Sequence, residues 1–268
     1  MLQQTIHKLT KMKLIGIVDA LDEQLHSTTY QQLSFDERLA MLVEKEFLRR
    51  EENNRRRKLK SAKLQLSATI EDIDFETPRK LSRARFLELA QLDWVGRAHQ
   101  LIISGPTGVG KTFLACALAD RACKLCLNVL YIKTHTLTAQ LAITQADGSY
   151  PKEIAKLLKL DLLILDEWLR EPLQSHHAQL LLDLIDDRYR NASTVFVSQF
   201  SSKQWHQRIL EPTLADAMLD RIIHDALKIE LDGKSMRKHT ATVSTEKSSL
   251  RSDNTTPPPA PMDKSAAS

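Results

Sequence analysis

Gly105-Pro106-Thr107-Gly108-Val109-Gly110-Lys111-Thr112 is the stretch that decides how this chain folds. It fits G-x-x-x-x-G-K-[ST] at every fixed position. It follows the short apolar run Leu101-Ile102-Ile103-Ser104 and opens a segment with helical spacing to about Leu125. In a strand–loop–helix of this kind the backbone N–H groups form a nest around the β- and γ-phosphates of a nucleotide, and the helix N-terminus adds partial positive charge. Gly105 through Thr112 are therefore candidate nucleotide-binding residues. Lys111 would reach the β/γ-phosphates as a point charge, and Thr112 would give its hydroxyl to Mg²⁺. Glycine usage agrees. The chain has 268 residues and seven glycines, three of them in this loop, where ordinary usage gives about 19 overall.

Downstream, apolar runs alternate with helical patterns. Strands are expected at 101–104, 128–132, 160–165, 193–198 and 227–231. Helices are expected near 111–125, 136–145, 151–159, 175–190 and 212–225, with Pro151 at a helix start. Such alternation specifies an α/β domain with a parallel five-stranded sheet. Leu160 to Leu165 is almost wholly apolar, as a strand covered on both faces should be.

A phosphate nest needs an acidic partner at the end of another buried strand, and Asp166-Glu167 supplies it. Asp166 would hold Mg²⁺, and Glu167 would orient and deprotonate the attacking water as a general base. Read alone, the pair could equally cap a strand end. An Asp-Glu pair favours hydrolysis of a nucleoside triphosphate over transfer to a small acceptor. Gln199 follows the fourth strand, where an amide could touch the water and the γ-phosphate; the bland reading is a polar loop residue. Arg221 on a late helix is a candidate finger toward a neighbouring subunit, or a surface ion pair with Asp220 or Asp225. Arg237 is a candidate phosphate sensor.

Upstream of residue 100 the chain reads as helices. Residues 2–26 show three- and four-residue apolar spacing, and Ser34 with Glu37 forms a capping box before the next helix. Residues 67–78 turn acidic and read as a linker, with a further helix about 79–92. Net charge is +4, yet residues 45–63 alone, with nine Lys/Arg against three Glu, carry +6. The rest of the chain therefore sums to −2. Arg49, Arg50, Arg55, Arg56, Arg57, Lys58, Lys60 and Lys63 are candidate contacts to a duplex phosphate backbone, against the alternative of a solvated helix face. No aromatic interrupts the run after Phe47, so stacking on single strands is not favoured. Trp168 and Trp205 read as packing residues, and His176-His177 as helix surface.

No stretch approaches a membrane-spanning length, and the N-terminus lacks a signal-peptide core. The location expected is the cytosol. Cys116, Cys123 and Cys126 cannot form a disulfide framework, and the C-x-x-C spacing of the last two reads as two buried thiols on one helix. Residues 239–268, half of them Ser, Thr or Pro, read as a disordered tail.

Several segments resemble the IstB-like ATP-binding proteins of insertion sequences, AAA+ ATPases close to the DnaC helicase loaders. They are Ile70-Glu71-Asp72-Ile73-Asp74-Phe75, the loop at 105–112, Leu165-Asp166-Glu167-Trp168, and Asp187-Arg188-Tyr189-Arg190 with Ser193-Thr194. Asp216-Ala217-Met218-Leu219-Asp220-Arg221 and Gly233-Lys234-Ser235-Met236-Arg237 complete the set. The resemblance implies a P-loop NTPase (AAA+) core with sheet order 5-1-4-3-2 behind a small all-helical N-terminal domain. The division it suggests is 1–66 helical and DNA-binding, 67–78 linker, 79–238 ATPase and 239–268 tail. It also implies ATP with Mg²⁺, self-assembly on duplex DNA, and a partner transposase whose target choice and activity the ATPase regulates. Carried over, Gln199 is sensor 1 and Arg221 the arginine finger. Two positions depart from the pattern. Sensor 1 is commonly Asn, and relatives often have Gly where this chain has Leu169. The competing functions are a helicase loader on the same core and an ATP-gated DNA scaffold with negligible turnover.

Overall fold

The computed structural model describes residues 1–236. Arg237 and the Ser/Thr/Pro-rich tail lie outside the described residues.

The N-terminal part is helical. Helix α1 spans Leu2–Lys11 and α2 spans Ile15–His26, so the spacing across 2–26 covers two helices rather than one. Lys13 makes the break. It takes a left-handed φ of 59°, Lys13 N–H bonds Thr10 O (2.9 Å) and Leu14 N–H bonds Leu9 O (3.0 Å). That 5→2 and 6→1 pair is a Schellman closure, which periodicity of side chains does not report. Helix α3 is a single rod over Phe35–Ala62, started by the expected capping box between Ser34 and Glu37. Its N-terminal half packs on α2, where the Gly16 N–H donates to the buried Glu46 carboxylate at 2.7 Å. A Cβ at Gly16 would lie 2.7 Å from the Glu46 Cα, so only glycine allows the two helices to cross this closely. The C-terminal end of α3 belongs to the core of the larger unit. Ala62 is fully buried there, and Lys58 Nζ donates to the Asn128 side chain.

Residues 64–82 run as turns before α4 (Arg83–Leu89) and the short α5 (Asp93–Gly96), a shorter helical stretch than the expected 79–92. From there strand and helix alternate: β1 (Leu101–Ser104), α6 (Lys111–Lys124), β2 (Val129–Lys133), α7 (Thr134–Ala146), α8 (Tyr150–Leu158), β3 (Leu162–Asp166), α9 (Ser175–Arg188), β4 (Ser193–Ser198), α10 (Pro212–Ile223) and β5 (Leu227–Glu230). All strand pairings are parallel, in the order β2-β3-β4-β1-β5. Read from the other edge this is the expected 5-1-4-3-2.

The sheet separates two apolar cores. One face packs on α6, α4, α5 and the end of α3; the other packs on α7 through α10. Trp168 and Trp205 are both fully buried and meet edge-on with ring centroids 5.9 Å apart, as packing residues should. Cys123 is buried and its thiol is pushed up to about 11 by burial, but Cys126 is not on the helix. It is the left-handed residue of the Schellman closure that ends α6, with φ 62°.

Arg188 anchors the base of the sheet. It is 1% exposed, and burial pushes its guanidinium down to about 10. Its Nη atoms donate to the carbonyls of Leu157 (2.7 Å), Leu160 (3.1 Å) and Ser193 (2.6 Å), and Nε to Thr194 Oγ1 (3.2 Å). Arg188→Met leaves those buried acceptors without a donor. We expect a loss of about 3 kcal/mol or more, read from the denaturant midpoint of the full chain.

Candidate nucleotide site and basic helix

Because β1 and β3 flank β4 in a parallel sheet, the segments leaving these three strands emerge at one edge. They carry the phosphate nest, Asp166-Glu167 and Gln199 respectively. Gly105, Gly108 and Gly110 all have left-handed φ (143°, 88° and 95°). The first two also lack room for a side chain. A Cβ at Gly105 would overlap the Leu231 carbonyl oxygen, and one at Gly108 would overlap Ser235 Oγ. The segment after β5 thus lies directly over the loop, and Met236 N–H donates to Gly108 O at 2.9 Å.

The expected residues converge. Thr112 Oγ1 donates to Asp166 Oδ2 at 2.8 Å. Thr107 Oγ1 donates to Gln199 Oε1 at 3.2 Å, so Gln199 reaches the nest from β4. Lys111 Nζ donates to the Pro106 carbonyl at 2.8 Å. Asp166 is 4% exposed, and its Oδ1 accepts the Glu167 N–H at 2.6 Å. Glu167 and Leu169 take left-handed φ of 55° and 53°. Leu169 therefore adopts the conformation that glycine favours, with its side chain buried in the core.

Two cations hold Glu167, Lys133 Nζ at 2.9 Å and Arg170 Nη1 at 2.8 Å, and His135 Nδ1 stands 3.6 Å away. Burial alone would raise its carboxyl, but the Lys133 hydrogen bond and the charges of Lys133, Arg170 and His135 outweigh burial and hold it below the usual carboxylate range. It is held ionised and tied to the protein, a weaker base in this setting than a free carboxylate.

Three residues of the candidate site are not legible in the sequence. Arg79, 3% exposed, lies under the loop and donates to Val109 O (3.0 Å) and Asp74 O (2.5 Å). It ties the acidic segment before α4 to the nest. Arg208 stacks over the Phe200 ring and donates to the carbonyls of Leu169 and Arg170, bracing the loop that carries Glu167. Tyr131, in the strand beside β3, donates its hydroxyl to Asp166 Oδ2. None sits in a motif, and only the tertiary fold brings them to the site. A cavity of about 490 Å³ adjoins the nest, lined by Gln65, Asp74, Arg79, Lys111, Thr112 and Met236 among others.

Arg221 is on α10 as expected, but its ion pair is with Asp186 of α9, not with Asp220 or Asp225. Of the basic residues, Arg49, Arg56 and Lys60 stand seven and four positions apart and so form one stripe along α3, with Lys63 capping its end. Arg50 is paired with Glu46 (2.6 Å), and Arg56 more loosely with Glu52 (3.5 Å). Arg57, Lys58 and Lys63 line a cleft of about 820 Å³ between α3 and the edge strand β2, together with Lys133 and Lys156. Arg55 is exposed on a different side. The structure thus divides the run between a stripe and a cleft instead of one continuous face. Among the described residues no cluster of His, Cys, Asp and Glu could hold a metal by itself, and no helix is long and apolar enough to cross a membrane.

Residues 7–244 match the family described as IstB-like ATP binding protein. A Sinorhizobium fredii protein named as an insertion sequence ATP-binding protein is 40% identical over 235 residues, which is 88% of this chain and 96% of the relative. A Pseudomonas fluorescens protein of the same description is 40% identical over 203 residues, 75% of this chain and 88% of the relative. Among solved structures, DnaI matches with a TM-score of 0.54 at 22% identity, over 66% of this chain and 93% of that one, a likeness of fold.

Proposed function

The chain belongs to the IstB-like ATP binding proteins of insertion sequences, and from this we propose that it is an ATP-driven DNA-binding switch that assists a transposase. The observation that carries the reading is convergence. The nest at 105–112, the Thr112–Asp166 pair, Glu167 and Gln199 meet at one sheet edge, and a basic helix joins the same core.

In this reading the triphosphate lies on the nest N–H groups and on Lys111, which leaves the Pro106 carbonyl for the phosphates. The nucleoside takes the adjoining cavity between Arg79 and Met236. Thr112 and Asp166 present two hard oxygen donors side by side, the donor type that suits Mg²⁺, and these residues would hold it. When bound, Mg²⁺ neutralises charge on the β- and γ-phosphate oxygens. Glu167 takes the proton of the attacking water once its carboxylate is released from Lys133 and Arg170. Gln199 orients that water against the γ-phosphate. Arg221, exchanging Asp186 for the phosphate of a neighbouring copy, makes hydrolysis depend on assembly. Arg237 would add a further phosphate contact. The domain division at 67–78 assigns DNA to the helical part and ATP to the rest. Arg49, Arg50, Arg55, Arg56, Arg57, Lys58, Lys60 and Lys63 supply the duplex contacts.

The test is ATP hydrolysis by the full chain with and without duplex DNA, together with the salt dependence of DNA affinity. Duplex DNA should change the hydrolysis rate. Replacing Arg49, Arg56 and Lys60 together by Gln should weaken binding to all sequences alike and flatten the log–log salt slope by about 3, one for each phosphate no longer neutralised. An unchanged slope would show the stripe to be only a solvated face.

A further inference from the structure

We propose that Tyr131 is a positioning residue that couples the basic helix α3 to the metal-holding carboxylate of Asp166. The inference rests on the reading of α3 as the DNA-binding element and of Asp166 as a Mg²⁺ ligand.

The geometry is a short chain of polar contacts. The Tyr131 hydroxyl meets Asp166 Oδ2 on one side and Gln65 Oε1 on the other. Asp166 Oδ2 is also the oxygen that Thr112 addresses. Gln65 stands three residues beyond Ala62, the last residue of α3, and its backbone approaches Cys116 of α6, the helix opened by the nest. Parallel register pairs Tyr131 with Ile164 and Lys133 with Asp166, so the ring lies on the sheet face that packs on α6 and points along β3 toward the site. The ring is 6% exposed, whereas Gln65 is exposed. Tyr131 also walls the cleft that Arg57, Lys58 and Lys63 line. With the Gln65 amide oxygen turned to the ring hydroxyl, one phenolic proton faces two acceptors; with the amide turned over, its Nε2–H donates to the phenol oxygen and leaves that proton wholly to Asp166. If Gln65 moves with the end of α3, the share of that proton held by Asp166 changes, and with it the orientation of the carboxylate. Groups that hold a metal ligand in place govern metal affinity in this way. Coupling is reciprocal. Whatever DNA does to Mg²⁺ affinity through this chain, Mg²⁺ with nucleotide must do to DNA affinity by the same factor.

The experiment uses the full chain with ADP, titrated with Mg²⁺ and followed by its melting temperature, in the absence and presence of a saturating duplex. Melting reports metal retention without any hydrolysis. DNA affinity without nucleotide is measured separately by fluorescence anisotropy. In Tyr131→Phe, which keeps the buried ring, half-saturation by Mg²⁺ should need about tenfold more metal. In the wild type, duplex DNA should shift the Mg²⁺ half-point about fivefold or more. Tyr131→Phe and Gln65→Leu should both lose that shift while still binding DNA. Gln65 is exposed, so the second variant keeps the test sound if the first folds poorly. A shift retained in both variants, or a Mg²⁺ half-point unchanged in Tyr131→Phe, overturns the inference. A wild type that binds Mg·ADP and DNA with no shift between them also overturns it, and leaves the function proposed above standing. A wild type that binds no DNA defeats the reading of α3 and the coupling together.

Discussion

Lys111→Ala should weaken ATP binding by about 10²- to 10⁴-fold and lose with it every ATP-dependent complex on DNA. The magnitude follows from two charge-assisted hydrogen bonds, to β- and γ-phosphate, at about 1.5–3 kcal/mol each. Nothing else in the nest supplies a full positive charge, because its other donors are backbone N–H groups and the hydroxyls of Thr107 and Thr112. The Lys111 stem starts at the first residue of α6, and its ammonium now sits 2.8 Å from the Pro106 carbonyl. Removing it leaves an acceptor on an exposed loop, which water can satisfy, so fold and melting temperature should stay close to wild type. Binding is checked with a fluorescent ATP analogue, and assembly by sedimentation on duplex DNA. Assembly that persists in Lys111→Ala would sink the idea that ATP is the switch.

Glu167→Gln should behave in the opposite way. It should bind ATP and DNA and hydrolyse about 10²- to 10⁴-fold more slowly, the usual worth of a general base. Gln keeps the shape and one acceptor oxygen, so the left-handed turn at 167 and the brace from Arg208 survive. It loses the charge that holds Lys133, Arg170 and His135. ATP-dependent complexes on DNA should then last longer than those of the wild type, because the step that resets them is gone. Steady-state phosphate release and complex lifetime measure the two effects. If the wild type turns over no faster than Glu167→Gln, the protein is a nucleotide-gated scaffold and not an ATPase.

What the sequence made legible is local or strongly patterned. The nest, the Asp166-Glu167 pair at a buried strand end, the capping box at Ser34 and the five strands each depend on residues close together in the chain. Strand order could be expected only through resemblance, because parallel pairing is decided by crossover connections, not by the strands. The break at Lys13 was hidden because a Schellman closure is a backbone event that leaves apolar spacing intact. Tyr131, Arg79 and Arg208 were hidden for another reason. On a strand, Tyr131 reads as one more core aromatic, and Arg208 as a charge in a loop. Their polar atoms acquire meaning only through partners 35 and 39 positions away. Arg188 stands in a segment that carries the resemblance, and its role as the buried donor to four acceptors depends on the fold. The charge run showed where the basic excess lies. Its division between an outward stripe and an inward cleft depends on which helix faces pack, against α2 at one end and the sheet domain at the other.

Helix α3 has a mechanical meaning of its own. Its 28 residues make a rod of about 42 Å with no hinge between the hairpin it forms with α2 and the sheet domain it enters. A rod of this kind transmits torque. On the proposed reading, a bend in bound DNA would roll the hairpin about the axis of α3 and load the packing of Ala62 in the sheet domain. If α3 holds the duplex as proposed, the angular phase of its arginines and the setting of the residues beside Asp166 are linked through that rod. A copy locked at the wrong phase by its neighbours would be out of register at both ends at once.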